Sequence, residues 1–137
     1  EDNILLLQEL KVHSCILIGF SMGGAVAFEM AVNNPAFVSK LIIVNTAPDV
    51  NMLGEMGEEM VRERSKILKT EGMEPLAKQI AAGMFPEEEQ EKLRASFYQR
   101  ASKNPVKPYF NSFITLMNWG IGNKICFLYT SDAADDA

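Results

Sequence analysis

The stretch SCILIGFSMGGAVAFEM, Ser14 to Met30, joins two periodicities at a break. Cys15, Ile16, Leu17 and Ile18 form a continuous apolar run of strand length, the pattern of a strand covered on both faces. From Met22 to Asn34 the apolar residues recur at helical spacing, and Gly23, Gly24, Ala27 and Ala31 supply a small-residue side that can approach a sheet closely. Between the two lies Gly19 to Gly24, where Ser21 is the one hydroxyl residue set among glycines. Pro35 ends the helix, because its ring cannot donate to the ladder.

Beyond that helix, SKLIIVNTAP supplies a second strand, Leu41 to Val44, closed by Asn45, Thr46 and Pro48. Two apolar strands joined by one helix predict a βαβ unit with a right-handed crossover, hence an α/β fold with parallel strands. Upstream, Ile4, Leu5, Leu6, Leu7 and Leu10 mark one more helix face, with Lys11 to His13 as connector. Downstream, Met52 to Trp119 reads as amphipathic helix without strand signal. Gly54, Gly72 and Pro86 divide it into four helices near 55–70, 73–84, 87–103 and 106–119. Pro86 followed by Glu87, Glu88 and Glu89 predicts a helix start with proline in the first turn and acids at the positive end of the dipole.

Composition narrows the function classes. With 137 residues, 47% hydrophobic and 23% charged, the chain can fold around a core of its own. The formal charge of -5 and the lack of a basic stripe argue against a nucleic-acid partner. The longest apolar stretch is interrupted by Ser21 and three glycines, which argues against a membrane span. Cys15 and Cys126 have neither metal-ligand nor disulfide-framework spacing, which fits a reducing, cytoplasmic setting, and no metal site is expected. EDNILLLQEL reads as the tail of a helix already under way, so the amino terminus is expected to be cut. LYTSDAADDA, Leu128 to Ala137, has no periodicity, and residues 126–137 are expected to be a non-native tail.

Gly19-Phe20-Ser21-Met22-Gly23 is G-x-S-x-G, and a strand enters it while a helix leaves it, the setting of a nucleophile elbow. In such a turn the serine takes a strained backbone, and side chains at Gly19 and Gly23 are expected to collide with neighbouring elements. An Oγ lifted above the sheet can attack a carbonyl carbon while the Met22 backbone N–H, at the helix start, faces the oxyanion that forms. A free hydroxyl is a weak nucleophile, so the chemistry also needs a histidine base and an orienting acid. The competing dinucleotide-binding fingerprint fails, because Ser21 stands where its second glycine is required.

With GFSMGG, the strand before it and KLIIVNTAP after it, the chain resembles the α/β-hydrolase family, its small esterases, lactonases and acyl-transfer relatives in particular. The resemblance implies a partial core over residues 1–50, an α-helical cap over 51–120 and a return toward the core over 121–125. It implies a serine hydrolase acting on a carboxylic ester, lactone or related small-molecule acyl substrate, with no metal or organic cofactor. Ser21 would be the nucleophile, Met22 would give the oxyanion N–H, and Gly19, Gly23 and Gly24 would shape the elbow. Phe20 would line the acyl pocket or pack beneath the elbow.

Family members order the triad as nucleophile, acid, histidine. The single histidine, His13, precedes the serine and, at about 3.3 Å per strand residue, lies over ~20 Å away, so it is not the base. Asp49 is a candidate acid, against the plainer reading that Pro48-Asp49 turns the chain into the cap. The chain by itself is therefore expected to be inactive or nearly so. A noncatalytic binding protein, an acyltransferase and a cofactor-free haloperoxidase of the same fold are the alternatives.

Overall fold

A computed structural model describes residues 1–127. The described residues divide into two compact units, one built from 1–52 with 119 onward, the other from 53–118. The expectation for the tail falls, over residues 128–137, outside the described residues.

In the first unit, helix α1 (Asp2–Glu9) precedes strand β1 (Cys15–Phe20), helix α2 (Met22–Asn33) and strand β2 (Val38–Val44), with a 3-10 turn over Pro35–Phe37 before β2. The two strands pair in parallel with Leu17 opposite Leu41, Ile18 opposite Ile42 and Phe20 opposite Val44. Both strands outrun the apolar runs predicted for them. Pairing with a neighbour extends β1 through Gly19 and Phe20, and Ser39 on β2 donates from Oγ to the Cys15 carbonyl at 3.0 Å. The Cys15 thiol is free and half-buried, and donates to the Phe37 carbonyl at 3.3 Å.

Helix α2 covers one face of the pair. Its sheet-side row is Gly24, Ala27, Phe28 and Ala31, all buried and spaced by three, four and seven residues as a helix face requires. The opposite face differs from the expectation of strands covered on both sides. Ile16, Ile18 and Phe20 on β1 and Ile42 and Val44 on β2 are exposed, Ile18 by 66%. No described element packs over that row, and hydrophobic composition alone does not supply one. In α1 only Ile4 is buried, while Leu5 and Leu6, with Leu10 just after the helix, are exposed. An open apolar groove of about 450 Å³ runs between α1, β1 and α2, lined by Leu6, Leu7, Cys15, Leu17, Val26 and Met30 among others.

The chain then returns to this unit through a short antiparallel bridge. The Val50 N–H donates to the Trp119 carbonyl at 3.1 Å and the Ile121 N–H to the Pro48 carbonyl at 2.9 Å. Trp119 stacks on Phe28 of α2, with ring centroids 6.2 Å apart, and its Nε1–H donates to Glu29 Oε1 at 2.9 Å.

The second unit holds α3 (Gly54–Thr70), α4 (Met73–Met84), α5 (Glu91–Ala101) and α6 (Val106–Met117). Leu68, Met73, Leu76, Ala77 and Ala101 form its core, with Ile67, Ile80, Phe97, Tyr98, Tyr109 and Phe110 packed around them. Gly72 ends α3 in the left-handed region at φ 87°, with its N–H donating to the Ile67 carbonyl at 3.1 Å. The helix expected over 87–103 begins differently. Glu87 caps a 3-10 turn over Glu88–Gln90 in a reciprocal capping box with Gln90, so Pro86 lies before the cap rather than in the first turn. Arg94 fixes that junction, donating to the Phe85 carbonyl at 2.7 Å and to Glu91.

Candidate active site

Ser21 sits between the last residue of β1 and the first of α2, with φ 50° and ψ -124°. A non-glycine residue with positive φ costs about 1–3 kcal/mol and persists only where its surroundings hold it. Two bonds from the end of β2 do so. The Ser21 N–H donates to the Val44 carbonyl at 3.0 Å, and Thr46 Oγ1 donates to the Ser21 carbonyl at 2.6 Å. The Gly24 N–H adds a third at 2.8 Å from within the helix.

Glycine makes the turn sterically possible at two positions. A Cβ on Gly19 would fall 2.6 Å from Gly24 Cα and 2.8 Å from Ala27 Cβ, so β1 and α2 meet backbone to backbone there. On Gly24 it would fall 2.7 Å from Thr46 Cβ. Gly23 departs from the expected collision: it is exposed, and a Cβ there meets nothing within 4 Å among the described residues. The helix turns Gly23 away from the sheet, whereas Gly24, one residue on, faces it.

Serine at a helix N-cap ordinarily turns its hydroxyl onto the N–H of the second or third helical residue. Ser21 holds the N-cap position of α2 and makes no such side-chain bond. It is exposed, and its Oγ is therefore not engaged in capping. Met22 opens α2, so its N–H has no acceptor within the helix and stands beside Ser21 as a free donor direction at the positive end of the dipole.

Phe20, His13 and Asp49 sit in three different surroundings. Phe20 is 57% exposed, so it does not pack beneath the elbow, and it does not line the groove between α1 and α2. His13 is exposed and precedes β1, while Ser21 follows it. Asp49 lies in the bridge with Gly120, its carboxylate so close that a Cβ on Gly120 would fall 2.6 Å from Asp49 Cγ. Thr46, which donates to Ser21, carries no motif signal; only its place just after an apolar strand adjacent to the elbow strand pointed to it. Among the described residues no group of three or more His, Cys, Asp or Glu could hold a metal ion, and no helix is long and apolar enough to cross a membrane.

Comparison with known proteins places this geometry. A Bacillus subtilis (strain 168) protein, named as a candidate 2-succinyl-6-hydroxy-2,4-cyclohexadiene-1-carboxylate synthase, is 41% identical over 59 residues, covering 43% of this chain and 22% of its own length. The sn-1-specific diacylglycerol lipase ABHD11 of Danio rerio is 42% identical over 45 residues, covering 33% of this chain and 14% of its own. The crystal structure of a hydrolase from Pseudomonas aeruginosa PA01 superposes with a TM-score of 0.69 at 19% identity, over 93% of this chain and 48% of that one. The chain thus spans less than half the length of these relatives. The sequence profile of the alpha/beta hydrolase fold matches residues 2–116, and with a strand, a strained serine and a helix in that order the chain belongs to the α/β-hydrolase family.

Proposed function

We propose that the whole protein is a serine hydrolase that cleaves a small carboxylic ester, lactone or related acyl compound through an acyl-enzyme, with Ser21 as nucleophile. The observation that carries this reading is the N-cap serine that does not cap: Ser21 is held at φ 50° by the end of β2 while its hydroxyl stays exposed and uncommitted. A serine serving the helix alone has no use for that strain.

In the proposed reaction Ser21 Oγ attacks the acyl carbon and gives its proton to a histidine base. The Met22 N–H stabilises the oxyanion, the bond to the leaving alcohol breaks as that proton is passed on, and water then hydrolyses the acyl-serine. His13 is on the wrong side of β1, so the base is assigned to residues outside these 137, and this chain alone is inactive or nearly so. Asp49 stands as the candidate acid within the chain. The free Cys15 thiol accords with a reducing, cytoplasmic compartment. The synthase name of the Bacillus relative favours a second reading, in which the same elbow serves a reaction other than hydrolysis.

Turnover of p-nitrophenyl acetate by the whole protein and by Ser21→Ala tests the first reading. The variant is expected to lose about ten-thousand-fold or more in kcat, while the 137-residue chain gives only background. Comparable turnover by the variant would sink the nucleophile, and full turnover by the short chain would sink the missing base.

A further inference from the structure

We infer that Thr46 is a positioning residue for the oxyanion donor. The inference rests on the reading of Ser21 as nucleophile and the Met22 N–H as that donor.

The Ser21 carbonyl and the Met22 N–H belong to one peptide unit, which is planar and trans, so the two groups point in opposite directions. A bond that fixes the carbonyl therefore fixes the direction of the N–H. Thr46 Oγ1 makes that bond at 2.6 Å, and its other acceptor contact among the described residues is the Val44 carbonyl at 3.3 Å, which itself accepts the Ser21 N–H. The end of β2 thus grips the peptide units on both sides of Ser21. The Gly24 N–H at 2.8 Å and the Ala25 N–H at 3.4 Å also reach the Ser21 carbonyl, but they belong to α2 and move with it. Thr46 is the donor from outside the helix, and so it sets the plane relative to the sheet. Its bond also polarises the peptide, which makes the N–H on the far side a stronger donor.

Two local features serve this reach. Asn45 takes the left-handed conformation, φ 54°, which asparagine tolerates better than most residues and which turns the chain at the end of β2. Gly24 leaves open the space that the Thr46 side chain fills, since a Cβ there would fall 2.7 Å from Thr46 Cβ. The missing side chain at residue 24 and the hydroxyl at residue 46 are two halves of one arrangement.

The test compares the whole protein with Thr46→Val, which keeps the shape and removes the donor, and Thr46→Ser, which keeps the donor. Removing an oxyanion donor outright costs about a hundredfold to a thousandfold, so loosening one that remains is expected to cost Thr46→Val roughly tenfold in kcat on p-nitrophenyl acetate, with KM within about twofold. Thr46→Ser recovers most of that rate. A trifluoromethyl ketone, whose hemiketal anion loads the same N–H, binds Thr46→Val more weakly in proportion to the lost kcat/KM. A role in folding alone moves the melting temperature and leaves kcat and the ketone untouched. If Thr46→Val does not fold, Thr46→Cys, a weaker donor, replaces it and is expected to fall between valine and threonine. Wild-type kcat in the valine variant, or an equal loss in the serine variant, overturns the inference while the nucleophile stands. Turnover that survives Ser21→Ala overturns both.

Discussion

The two units of the chain are held together by opposite means. In the unit that carries Ser21, residues far apart in sequence meet through hydrogen bonds: Thr46 and Ser39 with the backbone carbonyls of Ser21 and Cys15, and Trp119 with the Glu29 carboxylate. Side-chain volume is withheld there, so that Gly19 and Gly24 lie in contact. In the helical unit, Leu53–Asn118, volume is what binds: Leu76 is 1% exposed among Leu68, Met73 and Ala77, with aromatic side chains around them. One region depends on what is missing from its interior and the other on what fills it. Deleting atoms should therefore injure the helical unit, and adding them should injure the elbow.

The largest effect on stability is expected from Leu76→Ala. Truncating a fully buried leucine loses its transfer free energy and leaves a cavity, together about 3 kcal/mol. Urea unfolding followed by far-UV circular dichroism, which weights the helices, reads it. A loss under ~1 kcal/mol would mean that this core collapses around the gap, and the contrast between the units would fail at its stronger end.

Gly24→Ala comes next and tests the opposite end. Alanine is the better helix former by nearly 1 kcal/mol, so propensity alone predicts a gain. The added Cβ, however, enters the space of Thr46, and overpacking this close costs about 3 kcal/mol, which leaves a net loss of about 2 kcal/mol. This 137-residue chain has one tryptophan, Trp119, and it stacks on Phe28 of α2, so in this chain its fluorescence follows the unit in which the substitution sits. A net gain in stability would show that Thr46 moves aside freely.

How much of this was legible in the sequence follows the same division. Residues 53–118 were readable as four helices because their packing is local and periodic, and Gly72 stops α3 where a left-handed residue is needed. The 3-10 start at Glu88 was missed because Pro86 and three acids signal a helix start equally well one residue earlier or later, and the capping box with Gln90 decides it. The elbow was legible as a motif, since glycines flanking a serine between strand and helix have few other uses. Its supports were not. Thr46 acts on Ser21 across 25 positions of sequence, and no periodicity encodes a bond between a strand end and a turn. The coverage of the sheet was misread for a related reason, because an apolar run such as Ile16 to Ile18 records what a strand can bury and not which elements are present to bury it.

A smaller effect separates the tryptophan's ring from its hydrogen bond. Trp119→Phe keeps an aromatic face for Phe28 and removes the Nε1–H that reaches Glu29, whose other carboxylate oxygen accepts from Asn33 at 2.6 Å. The expected cost is about 1.5 kcal/mol by circular dichroism, the low end for one hydrogen bond to a charged acceptor, because Glu29 can turn to water when the donor is lost. A cost of ~3 kcal/mol would instead assign Trp119 a volume-filling role and bring this unit closer to the helical one.

The smallest effect is the sharpest on the comparison, because it concerns the neighbour of Gly24 and carries the opposite sign. Gly23 lies within the first turn of α2, exposed, with 4 Å of open space where a Cβ would go. Gly23→Ala removes backbone freedom from the unfolded chain and meets no obstacle in the folded one, so this chain should gain about 0.5 kcal/mol by Trp119 fluorescence. Two glycines adjacent in sequence then differ by more than ~2 kcal/mol in what a single methyl does, although composition and propensity treat them alike. If Gly23→Ala destabilises as Gly24→Ala does, the elbow needs both glycines for backbone freedom rather than one for space, and the steric account of the turn is wrong.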